Sequence, residues 1–147
     1  MLFWWETIAP GRQAAGERFA FERLRISTRV DLNGQPAVRE ELLLEPARRS
    51  LESVSRMGKH EYLATFYAIA EGVAAQRWRE LEDLLNDRCG NHRGDDAWGA
   101  STLAAGGVVV RGLASSSREI PSRLLESWRI ARRFLTGDDP VRPRKVY

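Results

Sequence analysis

Gly11 and Gly16 stand five apart inside "WWETIAPGRQAAGERF", residues 4–19, the spacing that opens a phosphate-cradling loop. Such a loop continues with a Lys for the phosphates and a Ser or Thr for magnesium. Here Glu17 and Arg18 follow. A carboxylate in the lysine position repels the phosphate it should hold, so no GTP binding is expected. A second spacing of chemical interest is Cys89-Gly90-Asn91-His92, with Asp95 and Asp96 close behind. A closed zinc site needs a second pair of ligands. Cys89 and His92 therefore read as a helix-end cysteine beside a polar loop, with a weak alternative as a transient contact for a soft divalent ion. The other histidine, His60, begins a strand, and no Ser-His-acid arrangement can be assembled. Ser115, Ser116 and Ser117 read as a helix cap, because serine is a preferred N-cap residue. No residue is assigned a catalytic role.

The remaining charged groups have bland readings first. Glu6, Glu17 and Glu40 flank turns and strands as surface carboxylates do. Basic residues gather at the end of the chain: Arg129, Arg132, Arg133, Arg142, Arg144 and Lys145. No aromatic platform is interleaved with them as single-strand nucleic acid binding wants. They read as a solvated helix face, with Glu119 and Arg123 as an i, i+4 pair, or as a surface that docks an acidic partner.

The elements that must position these groups follow from periodicity. Leu2 to Ile8 reads as a strand ended by Ala9-Pro10-Gly11. Leu24, Ile26, Thr28, Val30 and Leu32 alternate with polar residues, the pattern of a half-buried strand. Phe19 and Phe21 have the opposite parity, which predicts a bulge or bend near Glu22. Asn33-Gly34 is a hairpin signal, and Val38 to Leu44 is the return strand. Ala47 to Lys59 is polar and weakly patterned. His60 to Ala70 reads as a strand, favoured by Tyr62, Phe66 and Tyr67. Trp78, Leu81, Leu84 and Leu85 make a helical stripe within Val73 to Cys89, with Gly90 as its stop. Trp98–Ala105 and Val108–Ala114 form a second hairpin about Gly106-Gly107. Ile120, Leu124, Trp128, Ala131 and Leu135 mark an amphipathic closing helix stopped by Gly137, before a Pro- and Arg-rich tail.

The chain has 147 residues, 43% hydrophobic and 29% charged, with a net charge of +3. These values suit a single globular domain over 1–147. No apolar run approaches the roughly 20 residues of a membrane span. "MLFWWE" lacks the basic start of a secretory signal, and the lone cysteine excludes an internal disulfide framework. A reducing, cytoplasmic setting is the expectation.

The whole pattern resembles the UreD (UreH) family of urease accessory proteins. Gly11, Arg12, Gly16 and Glu17 match its Gly-Arg-x-Ala-x-Gly-Glu signature. "RLRISTRVDLNGQPAVREELLLEP" resembles the family's strand-turn-strand, "GASTLAAGGVVVRGLASSS" its Gly-flanked hairpin, and "LLESWRIARRFLTGDDPVRPRKVY" its closing Trp-Arg helix and Pro-Arg ending. The match runs in the family's order but covers only its C-terminal half. Val146-Tyr147 stands where the family usually ends in Ile-Trp. The resemblance implies a mainly β, stacked-strand, β-helix-like body, incomplete here, with two α-helices, the last amphipathic. It implies a non-catalytic scaffold that binds apo-urease and the partners UreF and UreG and assists nickel delivery. Of these partners UreG is the GTPase, so the resemblance places the nucleotide chemistry in a partner, consistent with the failed phosphate loop here. A separate chain could supply the missing N-terminal half. No tightly bound cofactor is expected, only transient nickel. Oxygen ligands hold such a cation loosely enough to release it, and Glu6, Glu17 and Glu40 lie in matched segments as candidates to line its path. The alternative is a truncated basic interaction module that has lost the urease role.

Overall fold

The computed structural model describes residues 1–12, 15–90, 96–139 and 141. Among the described residues, six strands and two helices follow one another: β1 Leu2–Ile8, β2 Leu24–Leu32, β3 Gln35–Leu44, β4 Tyr62–Ile69, α1 Ala75–Gly90, β5 Ala97–Thr102, β6 Val108–Ala114 and α2 Ile120–Thr136. The fold is mainly β with two helices, as the sequence predicts. β1, β4, β6 and β5 form one sheet in that order, and β2 and β3 form a separate hairpin. Every pairing is antiparallel. The stacked body thus takes the form of a four-stranded sheet with a hairpin laid on one face and helices on the other.

The period of two sorts the side chains between these layers. Ala64, Phe66 and Ala68 of β4 and Val108, Val110 and Ala114 of β6 face the helices, where they meet Trp78, Leu81 and Leu85 of α1 and Ile120, Leu124, Trp128 and Ala131 of α2. Tyr67 and Ile69 of β4 and Val109 of β6 face the hairpin and meet Val38 of β3. At the other end of the hairpin face, Ile8, Leu44, Leu51 and Met57 form a third cluster. β4 is therefore covered on both sides, which explains its nearly unbroken apolar run. β2 and β3 have one covered face, which explains the alternation along β2.

Local devices hold this arrangement. Asn33 and Gly34 take φ of 49° and 75°, the pair of positive values that a type I′ hairpin turn requires. Gly112 lies opposite Trp98, and a Cβ there would sit 2.4 Å from the indole ring. The ring thus lies directly on the β6 backbone. α2 ends at Gly137 in the left-handed conformation, its N–H donating to the Arg133 carbonyl.

One local expectation is corrected. The serines do not cap α2: its N-cap is Glu119, which makes no side-chain cap hydrogen bond, while Ser116 accepts from the Arg118 N–H in the preceding turn. Proline at the start of α2 supplies a pre-set φ and removes one of the donors a cap would satisfy. The bend expected near Glu22 is present, in an irregular segment where Phe19 takes φ 52°, and the register shift of the hairpin lies between Val30 and Asp31. Among the described residues, no helix is long and apolar enough to cross a membrane.

Candidate functional site

The register that builds the sheet also builds a polar row on its hairpin face. Glu6 pairs with Thr65, and Thr65 pairs with Arg111. A carboxylate, a hydroxyl and a guanidinium thus lie side by side on β1, β4 and β6. Tyr67 comes two residues after Thr65 and so points to the same face. From the hairpin above, Glu40 of β3 completes the group. Its Oε2 accepts a hydrogen bond from the Tyr67 hydroxyl at 2.5 Å and another from Arg111 Nη2 at 2.7 Å. Tyr67 is 1% exposed and Thr65 5%, so the group sits at the seam between the two layers.

The electrostatics follow from this geometry. Desolvation by itself would raise the pKa of Glu40. The hydrogen bonds from Tyr67 and Arg111, with the charge of Arg111, outweigh it and hold the carboxyl below its ordinary value. Burial pushes the Tyr67 phenol up, and the hydrogen bond to Glu40, the Glu40 charge and the more remote Glu6 charge push it further. Tyr67 is thus a locked donor at neutral pH, not a proton acceptor or nucleophile. What the group offers is an ionised carboxylate whose hydrogen bonds from Tyr67 and Arg111 both fall on one oxygen, with the Glu6 carboxylate on the same sheet face.

Glu17 lies elsewhere. It closes the loop after β1, where Arg12 donates to its carboxylate at 2.9 Å. The Arg12 carbonyl accepts from the N–H groups of Ala15 and Glu17, and the Pro10 carbonyl from Phe19 N–H. Gly11, at φ 102°, has the Glu17 carbonyl 2.8 Å from where its Cβ would be. Gly16 is also left-handed, at φ 75°. The spacing of the two glycines therefore serves a tight loop pinned by the Arg12–Glu17 ion pair.

The arginines of α2 separate in space. Arg129 and Arg133 line a groove between α1 and α2, with Arg88 across from them. Arg132 does not line it and instead lies over the Trp128 ring, 6.0 Å from its centroid. Arg123 makes the expected pair with Glu119 at 3.3 Å, but its side chain is largely buried against Trp98. The side chain of Cys89, and all of His92, Asp95, Arg142, Arg144 and Lys145, fall outside the described residues. Among the described residues, no cluster of three or more His, Cys, Asp or Glu is arranged to hold a metal ion.

Sequence reasoning missed Tyr67 and Arg111 as site residues. Each carried a signal: Arg111 interrupts the apolar run of β6, and Thr65 and Tyr67 place two hydroxyls on one face of a strand buried on both sides.

Comparison with known proteins agrees with the motif resemblance. The UreD urease accessory protein family model matches residues 1–147. The urease accessory protein UreD of Herpetosiphon aurantiacus is 40% identical over 99% of this chain and 52% of its own length. Those of Sorangium cellulosum and Pseudomonas aeruginosa are 34% and 30% identical, over 92% and 97% of this chain and 41% and 48% of their own. The chain spans about half the length of the curated relatives it matches. With the family model matched from end to end, the glycine loop, the Asn33-Gly34 hairpin and the amphipathic α2 are parts of one pattern, and the chain belongs to the UreD urease accessory protein family.

Proposed function

We propose that this chain serves urease maturation as a non-catalytic scaffold that binds apo-urease and the partners UreF and UreG and helps nickel reach the urease centre. The observation that carries the nickel part is the seam between sheet and hairpin, where Glu40 is held ionised beside the face that bears Glu6. A single carboxylate that already accepts two hydrogen bonds offers a divalent cation a weak oxygen ligand. Weak ligation suits a cargo that must leave again. Glu17, tied to Arg12 at the surface, belongs to the path only as an entry or exit carboxylate. Cys89 and His92 would bind a soft divalent ion more tightly, which suits storage more than passage.

The competing reading, a basic interaction module without the urease role, has one observation in its favour: the chain spans about half the length of its relatives. Co-purification separates the two. The chain, expressed with UreF, UreG and apo-urease, and with a second chain supplying the other half if one is encoded nearby, is expected to be retained with them in a stable complex. Failure to co-purify under those conditions defeats the scaffold reading.

A further inference from the structure

Where α1 and α2 run side by side they leave a groove of about 580 Å³. Its floor is apolar: Leu84, Ile130 and Phe134. Its rim carries Arg88, Arg129 and Arg133, with Glu126 and Asp139 between them. The floor is fixed from behind. The Arg77 guanidinium lies over the Phe134 ring, 4.4 Å from its centroid, and its Nη2 donates to the Phe134 carbonyl at 2.7 Å. Leu81 and Leu85 of α1 are fully buried, yet Leu84 between them stays 37% exposed and faces the groove. The rim is loosely paired. Arg129 reaches Glu126 only at 3.9 Å and Arg133 reaches Asp139 at 3.6 Å, exposed contacts that water and salt weaken. Arg88 makes no ion pair among the described residues.

We propose that this groove receives an amphipathic, acidic α-helix from another chain of the urease maturation assembly. The incoming helix lays its apolar stripe on Leu84, Ile130 and Phe134 and sets its carboxylates against Arg88, Arg129 and Arg133. This proposal rests on the scaffold reading above. Three observations select that occupant. Five of the eight lining residues are charged and the groove is open to solvent, whereas small-molecule pockets enclose most of their ligand's surface. The walls are helices, whose backbone groups are satisfied internally, so a β-strand has no edge to join and side chains must do the recognition. The rim bears three cations against two anions, and an outside carboxylate replaces the loose internal partners at little cost.

A photo-crosslinking amino acid placed at Leu84, and separately at Ile130, tests the proposal in the full chain assembled with apo-urease and its accessory partners. Leu84, already exposed, keeps the test informative where the Ile130 variant folds poorly. The expected product is a crosslink to one segment whose apolar residues recur at helical spacing beside Asp or Glu. Arg129→Glu with Arg133→Glu sets like charges against the incoming carboxylates and is expected to abolish that crosslink and weaken assembly by roughly tenfold or more. Complex formation at full strength with no crosslink, or with crosslinks to a basic segment or to a second copy of this chain, overturns the groove proposal and leaves the scaffold reading standing. If the unmodified chain forms no complex at all, the scaffold reading falls and the groove proposal falls with it.

Discussion

Tyr67→Phe removes one oxygen from the seam between sheet and hairpin and leaves the ring packed. The lost interaction is a hydrogen bond to an ionised acceptor from a side chain only 1% exposed. Bonds of that kind contribute about 1.5–3 kcal/mol. The partner change, Arg111→Met, removes an ion pair whose side chains are 49% and 35% exposed. Solvent screening reduces such a pair to about 0–1 kcal/mol. The neutral Tyr67 hydroxyl should therefore matter more to stability than the charged Arg111. Urea unfolding followed by tryptophan fluorescence at pH 7 measures both. Thermal melts should give a drop of about 3–12 °C for Tyr67→Phe, at roughly 2–4 °C per kcal/mol for a chain of this size. The pH dependence gives a second reading. The folded pKa of Glu40 lies below its ordinary 4.5, so the stability it contributes is present above about pH 4.5. That stability is lost as pH falls through the lower folded value. Without the Tyr67 donor, desolvation regains weight, the folded pKa rises, and the contribution shrinks. Arg111→Met costing as much as Tyr67→Phe, or an acid limb that neither change alters, would refute this ranking.

Three other outcomes follow from packing. Gly112→Ala places a Cβ 2.4 Å from the Trp98 ring, and overpacking of this kind should cost about 1–3 kcal/mol in urea unfolding; an unchanged midpoint would mean that the indole moves aside freely. Trp128→Ala should cost about 3–5 kcal/mol, because the side chain fills the layer between α2 and the sheet; a loss under 1 kcal/mol would take it out of the core. β1 is an edge strand with Leu2, Trp4 and Trp5 38%, 51% and 41% exposed. The isolated chain should associate with itself, and Trp4→Lys should reduce this, since an edge lysine blocks strand addition. Sedimentation showing a monomer at high concentration without the lysine would contradict that expectation.

Much of the layering was legible because it is local. The alternation along β2, the Asn33-Gly34 turn and the stripe from Ile120 to Leu135 each fix a face within a dozen residues. The site was less legible because its contacts are distant. Tyr67 and Glu40 lie 27 positions apart, and Arg111 and Glu40 lie 71 apart. They meet only because the hairpin folds back onto the sheet with β3 over β4 and β6, and no periodicity within one strand encodes that. Glu6 and Glu40 fall on the same seam, while Glu17 is drawn off by Arg12. Arg132 parts from Arg129 and Arg133 because it sits over the Trp128 ring, away from the groove. The serine cap misled for a simpler reason: a good capping residue was present, but the chain began its helix three to five residues later.

In the proposed function, nickel meets carboxylates of this chain rather than Cys89 and His92. The direct measurement is the nickel content of urease after activation with the complete accessory set. Glu40→Gln, Glu6→Gln and Glu17→Gln each remove a charge with little change of shape, and complex assembly is followed in the same samples by co-purification. Glutamine at 40 can still accept from Tyr67 and Arg111, which separates loss of charge from loss of the seam. Glu40→Gln and Glu6→Gln are expected to lower the nickel per urease while the complex still assembles, with a smaller effect of Glu17→Gln. The carboxylate path is contradicted if Cys89→Ala with His92→Ala abolishes nickel loading while all three glutamine variants load urease like the unmodified chain.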